Sequence, residues 1–444
     1  MLLAAICLGF VAGALLLGQG LTHIGVDLSI ILSLVVGVLL TINRAIRSRS
    51  SLRPGSRSNA RVSFVSASHH RGYYNQPLLR EFVKTFPRTI VLVGKFPGFL
   101  PDCRNSFEVN ELRGTRNFVV DGEVCFRWLP LSLIKELYRV HPDVIILGQF
   151  TLWTFYAVLY KLFRRCRILF LWDGTAPLCA YLNSPLRLLW RRMLGRFVDA
   201  AISNTREGVQ YLSQIIHIPQ SKITHGVYLV ADADSLSYDC HADGIAESPG
   251  PRPAFLYVGS LSKRKGVRLL IEAAMKLKEQ EITNFSIILV GEGPQEELRQ
   301  AISGELEPIV HIVGAVDYTQ LGRYYQNCDA FILPSLEDLW GMVVPEAMVF
   351  GKAILCSKYA NAKDLVQHGV NGFIFDPLNP TELASYMIQI IRNPRLCTEF
   401  GRASSAIISK YTPTTAAALV ADAVTELLPS QLTRSRQLLR NYAE

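Results

Sequence analysis

The stretch PAFLYVGSLSKRKGVRLLIEA, residues 253–273, divides into three parts. Ala254 to Val258 are apolar without alternation, so they read as a strand buried on both faces. Gly259 turns the chain, three cations (Lys263, Arg264 and Lys265) follow, and from Val267 the apolar spacing is helical. A strand, a glycine turn and a helix make one βα unit of a parallel sheet, and clustered cations at its turn suit a diphosphate.

The same alternation extends outward from this unit. FSIILVGEG, HIVGAV, AFILPS, AILCS and GFIFD read as strands, with QEELRQAI and YTQLGRYYQNC as helices between them. This predicts a doubly wound domain over residues 254–411. Residues 412–444 are expected to form a helical tail that packs back on the N-terminal domain. Toward the N-terminus, CHADGIAESPGPRP (240–253) has the composition of a linker. Before it, RVSFVSAS, TIVLVGKF, DVIILGQF, RILFLWDG and DAAISNT alternate with LLREFVKTF, LIKELYRVH, TLWTFYAVLYKLFRR and LRLLWRRMLGRFV. A first Rossmann-like domain is therefore predicted over 61–239. The predicted fold class is α/β, with two facing doubly wound domains and ligands held in the cleft between their C-terminal strand edges.

A chain of 444 residues exceeds what one core accommodates, about 250–300 residues. Its 49% hydrophobic and 19% charged residues suit a packed globular protein and argue against extensive disorder. The surplus apolar sequence is N-terminal. Residues 1–43 carry two apolar runs, MLLAAICLGFVAGALLLG and LSIILSLVVGVLLTI, and are expected to anchor the chain in a membrane. A hairpin, one span and a re-entrant pair stay open. The arginine-rich linker 44–60 places that flank, and the domains after it, in the cytoplasm by the positive-inside rule. A cleaved signal peptide is disfavoured because the first run lacks a basic start.

Nine scattered cysteines, without C-x-x-C spacing, fit reduced thiols in a cytoplasmic compartment. The net charge of +9 has one source in the linker and another around Arg191 and Arg192, which stand among Leu, Trp and Met. Such a stretch either rests on anionic lipid headgroups or is a solvated helix face. No nucleic-acid-binding module is evident, and nucleic acid is not an expected partner.

EDLWGMVVPEAM, residues 337–348, follows the strand AFILPS and so falls at the ligand-facing edge. Asp338 and Glu346 stand eight positions apart around Trp340 and Gly341. Acids beside the free amides of a helix start suit a sugar, and the same acids can equally cap a helix.

Four ordered segments carry more specificity than the acids alone: YVGSLSKRKGVRLLIEA, LVGEGPQEELRQ, HIVGAVDYTQLGRYYQNCDAFILPS and GKAILCSKYANAKDLVQHGVNGFIFDP. Together with the acid pair, they resemble the family-4 retaining glycosyltransferases of the GT-B fold. The likeness is strong over 254–385 and weaker over 61–235, where HPDVIILGQ, VDAAISNTREGVQYL and IPQSKITHGVYLVAD fall in the expected order. It implies that Glu346 holds the ribose hydroxyls of a nucleotide-sugar, and that Asp338, with the amides from Trp340 through Gly341 and Met342 to Val343, holds the transferred sugar. Lys265 would neutralise the diphosphate. Gly72, Gly259, Ser260, Arg264, Gly314 and Glu337 are the further donor-site expectations.

The sequence departs from the family pattern in three places. The first acid is Asp338 with Glu337 beside it, so either can face the sugar; Ser260 replaces an arginine; and Trp172 replaces a histidine, with Asp173 next. Asp173 can take or orient an acceptor proton, or merely start the turn at Gly174. His69, His70 and Arg71 precede Gly72 in a loop expected near the donor phosphates.

The resemblance implies transfer of a sugar to a lipid-linked or saccharide acceptor hydroxyl, with retention, in cell-surface polysaccharide or glycolipid synthesis. No cofactor is expected, and no Asp-x-Asp donor motif is read, which goes with metal independence. The rival readings are a nucleotide-sugar epimerase or phosphorylase of the same fold, and a binding scaffold without turnover.

Overall fold

The computed structural model describes residues 59–428, without 67–70, 95, 113–115, 121–122, 129–131, 177–179, 181, 238–249, 294, 303 and 305. The expected anchor, nearly all of the basic linker, His69, His70, most of the interdomain linker and the last residues of the tail lie outside the described residues.

The N-terminal domain contributes β1 (Arg61–Ser66), β2 (Arg88–Val93), β3 (Glu108–Glu111), β4 (Arg116–Val120), β5 (Glu123–Trp128), β6 (Val144–Leu147), β7 (Arg167–Trp172), β8 (Ala200–Ser203) and β9 (Ile223–His225). Seven of these form one parallel sheet in the order β3-β2-β1-β6-β7-β8-β9, while β4 and β5 pair separately as an antiparallel ribbon. The C-terminal domain contributes β10 (Ala254–Val258), β11 (Ser286–Val290), β12 (Val310–Gly314), β13 (Ala330–Leu333), β14 (Ala353–Ser357) and β15 (Gly372–Phe375). Their order is β12-β11-β10-β13-β14-β15, again all parallel. The order therefore reverses direction at β1 and at β10, the switch points where open α/β sheets receive ligands.

The sequence periods explain both sheets. β10, β11, β13 and β14 are buried at every position, as strands covered by helices on both faces must be. One core lies under the helices Ser132–Val140, Leu152–Phe163 and Pro185–Gly195, and another on the outer face of the second sheet. The third core is continuous from Phe64 and Ile146 of the first domain to Trp340 and Met342 of the second. β3 and β9 carry short polar sequences, EVNE and ITH, and have no apolar run by which to be recognised; the β4–β5 ribbon, RNFVV and EVCFRW, lies outside the strands read from the sequence.

The last described helix, Pro413–Leu427, packs on the helix Gln76–Thr85 and touches β7 and β8. Its start is set by Thr412, which accepts from the amide of Thr415 in a capping box, and by Pro413 in the first turn. The second domain is thus tied back to the first by the end of the chain. Among the described residues, no helix is long and apolar enough to cross a membrane.

Candidate active site

Lys265 ends a 3-10 turn, Lys263–Lys265, just beyond β10. The turn closes on Gly266 at φ 67°, where a Cβ would stand 2.0 Å from the Pro334 carbonyl oxygen. Only glycine lets this turn rest on the end of β13. The contact brings Lys265 to the acidic loop, and its Nζ donates to Asp338 Oδ2 at 2.5 Å. Arg264 donates from Nη1 to the Glu337 carbonyl at 3.1 Å and accepts at its own carbonyl from the Leu336 amide. Asp338, not Glu337, is thus the acid that meets the lysine.

Glu346 lies in the helix Val343–Val349 and is 1% exposed. The Tyr325 hydroxyl donates to its Oε2 at 2.7 Å, while Oε1 is buried and has no hydrogen-bond partner among the described residues. Burial pushes the Glu346 carboxyl up to about 8, with the Tyr325 bond opposing. Tyr74 of the first domain packs edge-on against Tyr318 of the second at 5.7 Å, and Tyr73 stacks on Tyr318 at 5.9 Å. Burial, and after it the nearby Glu346 charge, raises the phenols of Tyr74 and Tyr318. The acid is therefore enclosed by rings from both domains.

Asp173 follows β7 and is 9% exposed; the Tyr228 hydroxyl donates to its Oδ1 at 2.5 Å. Beside it, a Cβ on Gly174 would stand 1.8 Å from the Leu339 carbonyl oxygen, so this loop is pressed directly on the acidic loop. Asn361 Nδ2 holds the two together, donating to Thr175 O at 2.8 Å and Leu339 O at 2.9 Å. Trp340 Nε1 adds a bond to Leu229 O at 3.2 Å.

The structure gathers Lys265, Arg264, Glu337, Asp338 and Glu346 at one sheet edge and faces them with Asp173. Trp340 and Met342 lie there with their side chains in the shared core, 3% and 8% exposed, so they can offer only backbone to a ligand. Gly341 and Val343 open the Glu346 helix. Gly259 ends β10 against Gly291, and the exposed Ser260 hydroxyl pairs with Ser262 at 3.1 Å. Gly314 ends β12, two strands from β10, and is less central. Gly72 falls in the short helix Arg71–Tyr74 after β1. Trp172 does not enter the cleft in the manner of the histidine it replaces: it is stacked on Tyr211 at 5.6 Å and donates to Thr175 Oγ1.

The reading that no Asp-x-Asp occurs needs correction, since Asp232-Ala233-Asp234 has that spacing. Asp232 is bound by Arg80 at 3.2 Å and by the Ser235 hydroxyl at 3.0 Å, as a structural contact on the first domain. Tyr325, Asn361 and Tyr228 are site residues that sequence reasoning missed. Each lies at least 21 positions from the acid or the loop that it serves in these bonds, so no local spacing announces it.

Residues 243–406 match the family described as Glycosyl transferases group 1. An amylovoran biosynthesis glycosyltransferase of Erwinia amylovora is 32% identical over 143 residues, which is 30% of this chain and 35% of that one. A lipopolysaccharide 1,2-N-acetylglucosaminetransferase of Salmonella typhimurium is 26% identical over 167 residues, 35% of this chain and 44% of that one. The match thus spans less than half the length of these curated relatives, and the family match lies almost wholly on the C-terminal domain. Over both domains, the solved structure of Anabaena HepE in complex with UDP superposes with a TM-score of 0.65 at 19% identity, covering 82% of this chain and 100% of that one. The fold is therefore GT-B-like.

Proposed function

We propose that the protein transfers a sugar from a nucleotide diphosphate sugar to an acceptor hydroxyl, with retention at the anomeric carbon. One observation carries the reading: the Lys265–Asp338 pair and the buried Glu346 converge at one sheet edge and are pressed against the loop of Asp173. The group 1 match and the transferases that share it support the same chemistry, and the UDP bound to a neighbour of this fold supports a uridine nucleotide as donor.

In this reading, the Glu346 carboxyl takes the ribose hydroxyls through its unpartnered Oε1. Asp338 orients the Lys265 ammonium and holds sugar hydroxyls. As the anomeric C–O bond breaks, Lys265 and Arg264 neutralise the charge growing on the diphosphate, in a site from which the paired loops exclude water. The acceptor oxygen attacks on the face that the diphosphate leaves and its proton passes to the departing phosphate oxygen, while Asp173 orients its hydroxyl. A metal is not needed where cations already hold the diphosphate. The apolar residues 1–43 would anchor the chain with its domains in the cytoplasm, where a lipid-linked saccharide intermediate of cell-surface polysaccharide or glycolipid is a fitting acceptor.

The deciding experiment is calorimetric titration of the full chain with UDP-, GDP- and ADP-sugars, followed by proton NMR of the product made on a lipid-linked saccharide. Selective donor binding and a product of unchanged anomeric configuration are expected. An inverted product would remove retention. An epimerised donor formed without acceptor would replace transfer with epimerisation, and binding without any turnover would leave a scaffold.

A further inference from the structure

Most exposed large apolar side chains of the described residues are scattered singly, as on any globular surface. Three are not. Leu182, Leu186 and Leu189 are 57%, 49% and 64% exposed, and they stand four and three positions apart on or just before the helix Pro185–Gly195. Continued at helical spacing, the same stripe passes Met193 and ends on the exposed Arg196. The opposite face is fixed to the core. Leu194 is 1% exposed, Arg192 donates to Ile215 O at 2.7 Å, and the Arg191 guanidinium lies over the Phe150, Trp172 and Tyr211 rings at 5.8 to 5.9 Å. The leucine stripe is therefore held outward by a helix that cannot roll.

The charge around this stripe is mostly positive. Between Thr151 and Asp199 the chain carries eight Lys or Arg and two acids, Asp199 and the buried Asp173, and Asp199 is engaged by Lys161 and Arg167. Lys161 donates to Phe197 O at 2.7 Å and pairs with Asp199, which ties the end of the helix Leu152–Phe163 to the segment after Arg196; Arg165, just beyond that helix, is exposed, as is Arg196. An outward apolar stripe flanked by the exposed Arg165, Arg187 and Arg196 matches the interface of an anionic bilayer: leucines enter the acyl boundary and guanidinium groups meet lipid phosphates.

We propose that the face of Leu182, Leu186, Leu189 and Arg196 docks the N-terminal domain on an anionic phospholipid surface, as a contact separate from residues 1–43. This contact does not depend on the transfer reaction. Its buried side reaches Trp172, the residue before Asp173, so docking would bring the acceptor side of the cleft down to the bilayer.

The test uses the full chain with Leu189→p-benzoylphenylalanine, photolysed on vesicles of phosphatidylcholine and phosphatidylglycerol. A second full chain carries the same photoreactive residue at Leu378, which is 62% exposed on the C-terminal domain. Lipid adducts at 189 are expected to exceed those at 378 by about tenfold, and to fall severalfold on phosphatidylcholine alone or in a folded Arg165→Glu/Arg196→Glu variant. Equal adducts at the two positions, adducts insensitive to lipid charge and both arginines, or crosslinks at 189 to a second protein chain would each overturn the proposal. Both chains share the N-terminal segment, so the dependence on lipid charge and on Arg165 and Arg196 is what separates this contact from attachment through residues 1–43.

Discussion

Asp338 and Glu346 differ in kind although only eight positions separate them, the first in a loop and the second in the helix that follows. Asp338 is paired with Lys265 at 2.5 Å, its charge matched by a neighbour across the sheet edge. Among the described residues, Glu346 has no cation paired with it: its carboxylate accepts from the Tyr325 hydroxyl alone, its second oxygen is buried without a partner, and burial lifts its carboxyl up to about 8. A buried polar atom without a partner costs free energy in the fold, commonly about 1–3 kcal/mol. Asp338 thus belongs to a settled ion pair, whereas Glu346 stays costly to the fold until something donates to it. In the proposed function, this difference separates a charge that serves the diphosphate from a group that serves hydroxyl donors.

Removing the cation tests the first half of this contrast and carries the largest expected effect. Lys265→Ala is expected to lower kcat by about 10²–10³, the range seen when one group that stabilises developing charge is lost. The loss should appear in single-turnover transfer even at saturating donor. A variant with unchanged kcat and only weaker binding would move Lys265 from the reaction to ground-state binding.

Glu346→Gln tests the second half, with two effects of opposite sign. Donor affinity should fall by about 1–3 kcal/mol, because an amide replaces a charge-assisted acceptor. Stability should change the other way. The folded value lies above the ordinary carboxylate value, so wild-type stability from this group is full in acid and is lost as pH rises from about 4.5 to about 8. Thermal unfolding at pH 8 should therefore show the Gln variant as more stable than wild type, with the gap closing by pH 4. In addition, hydroxyls that donate to Oε1 favour the ionised carboxylate, so donor binding at pH 7 should release protons. Calorimetry in buffers of different ionisation enthalpy would read that release, and the Gln variant should lose it. Proton-neutral binding by the wild type would mean that the carboxyl is already ionised or is not the contact.

The two sides of the cleft also differ in how they are joined, which gives a smaller effect. Asn361→Ala removes both bonds that hold the Asp173 loop to the acidic loop, and about 1–2 kcal/mol of stability should go with them. Denaturant midpoints would show this, and transfer should slow while donor affinity changes little. Equal losses in transfer and donor affinity would show that Asn361 supports the donor side instead.

The second-domain half of the candidate site was legible because each part is a local signal: an apolar strand, a turn glycine and a cation in one βα unit, and an apolar strand followed by an acid in another. β10 and its loop carry Lys265, β13 and its loop carry Asp338, and the parallel order places those loops side by side. The partners of these groups were not legible. Tyr325 meets Glu346 across 21 positions, Asn361 meets Thr175 across 186, and Tyr228 meets Asp173 across 55. Such contacts are products of the packing and leave no spacing to find. The polar strands β3 and β9 escaped for a related reason, since strands with so few apolar positions give no period to read.

Tyr228→Phe is the finest probe of the contrast, because it leaves every donor-side group in place. The phenol is 2% exposed and donates to Asp173 Oδ1 at 2.5 Å, so one carboxylate oxygen is already committed. Removing that bond should cost about 0.5–1.5 kcal/mol and leave the Asp173 carboxylate less fixed in direction. If Asp173 orients the acceptor, the variant should raise the acceptor KM or lower kcat severalfold with donor affinity unchanged, and Asp173→Asn should show the same split more strongly. If Asp173 only starts the turn before Gly174, both variants should lose stability and keep their kinetics. The acceptor side then resembles Asp338 more than Glu346, since its charge is fully engaged by the fold, and another group must receive the acceptor hydroxyl.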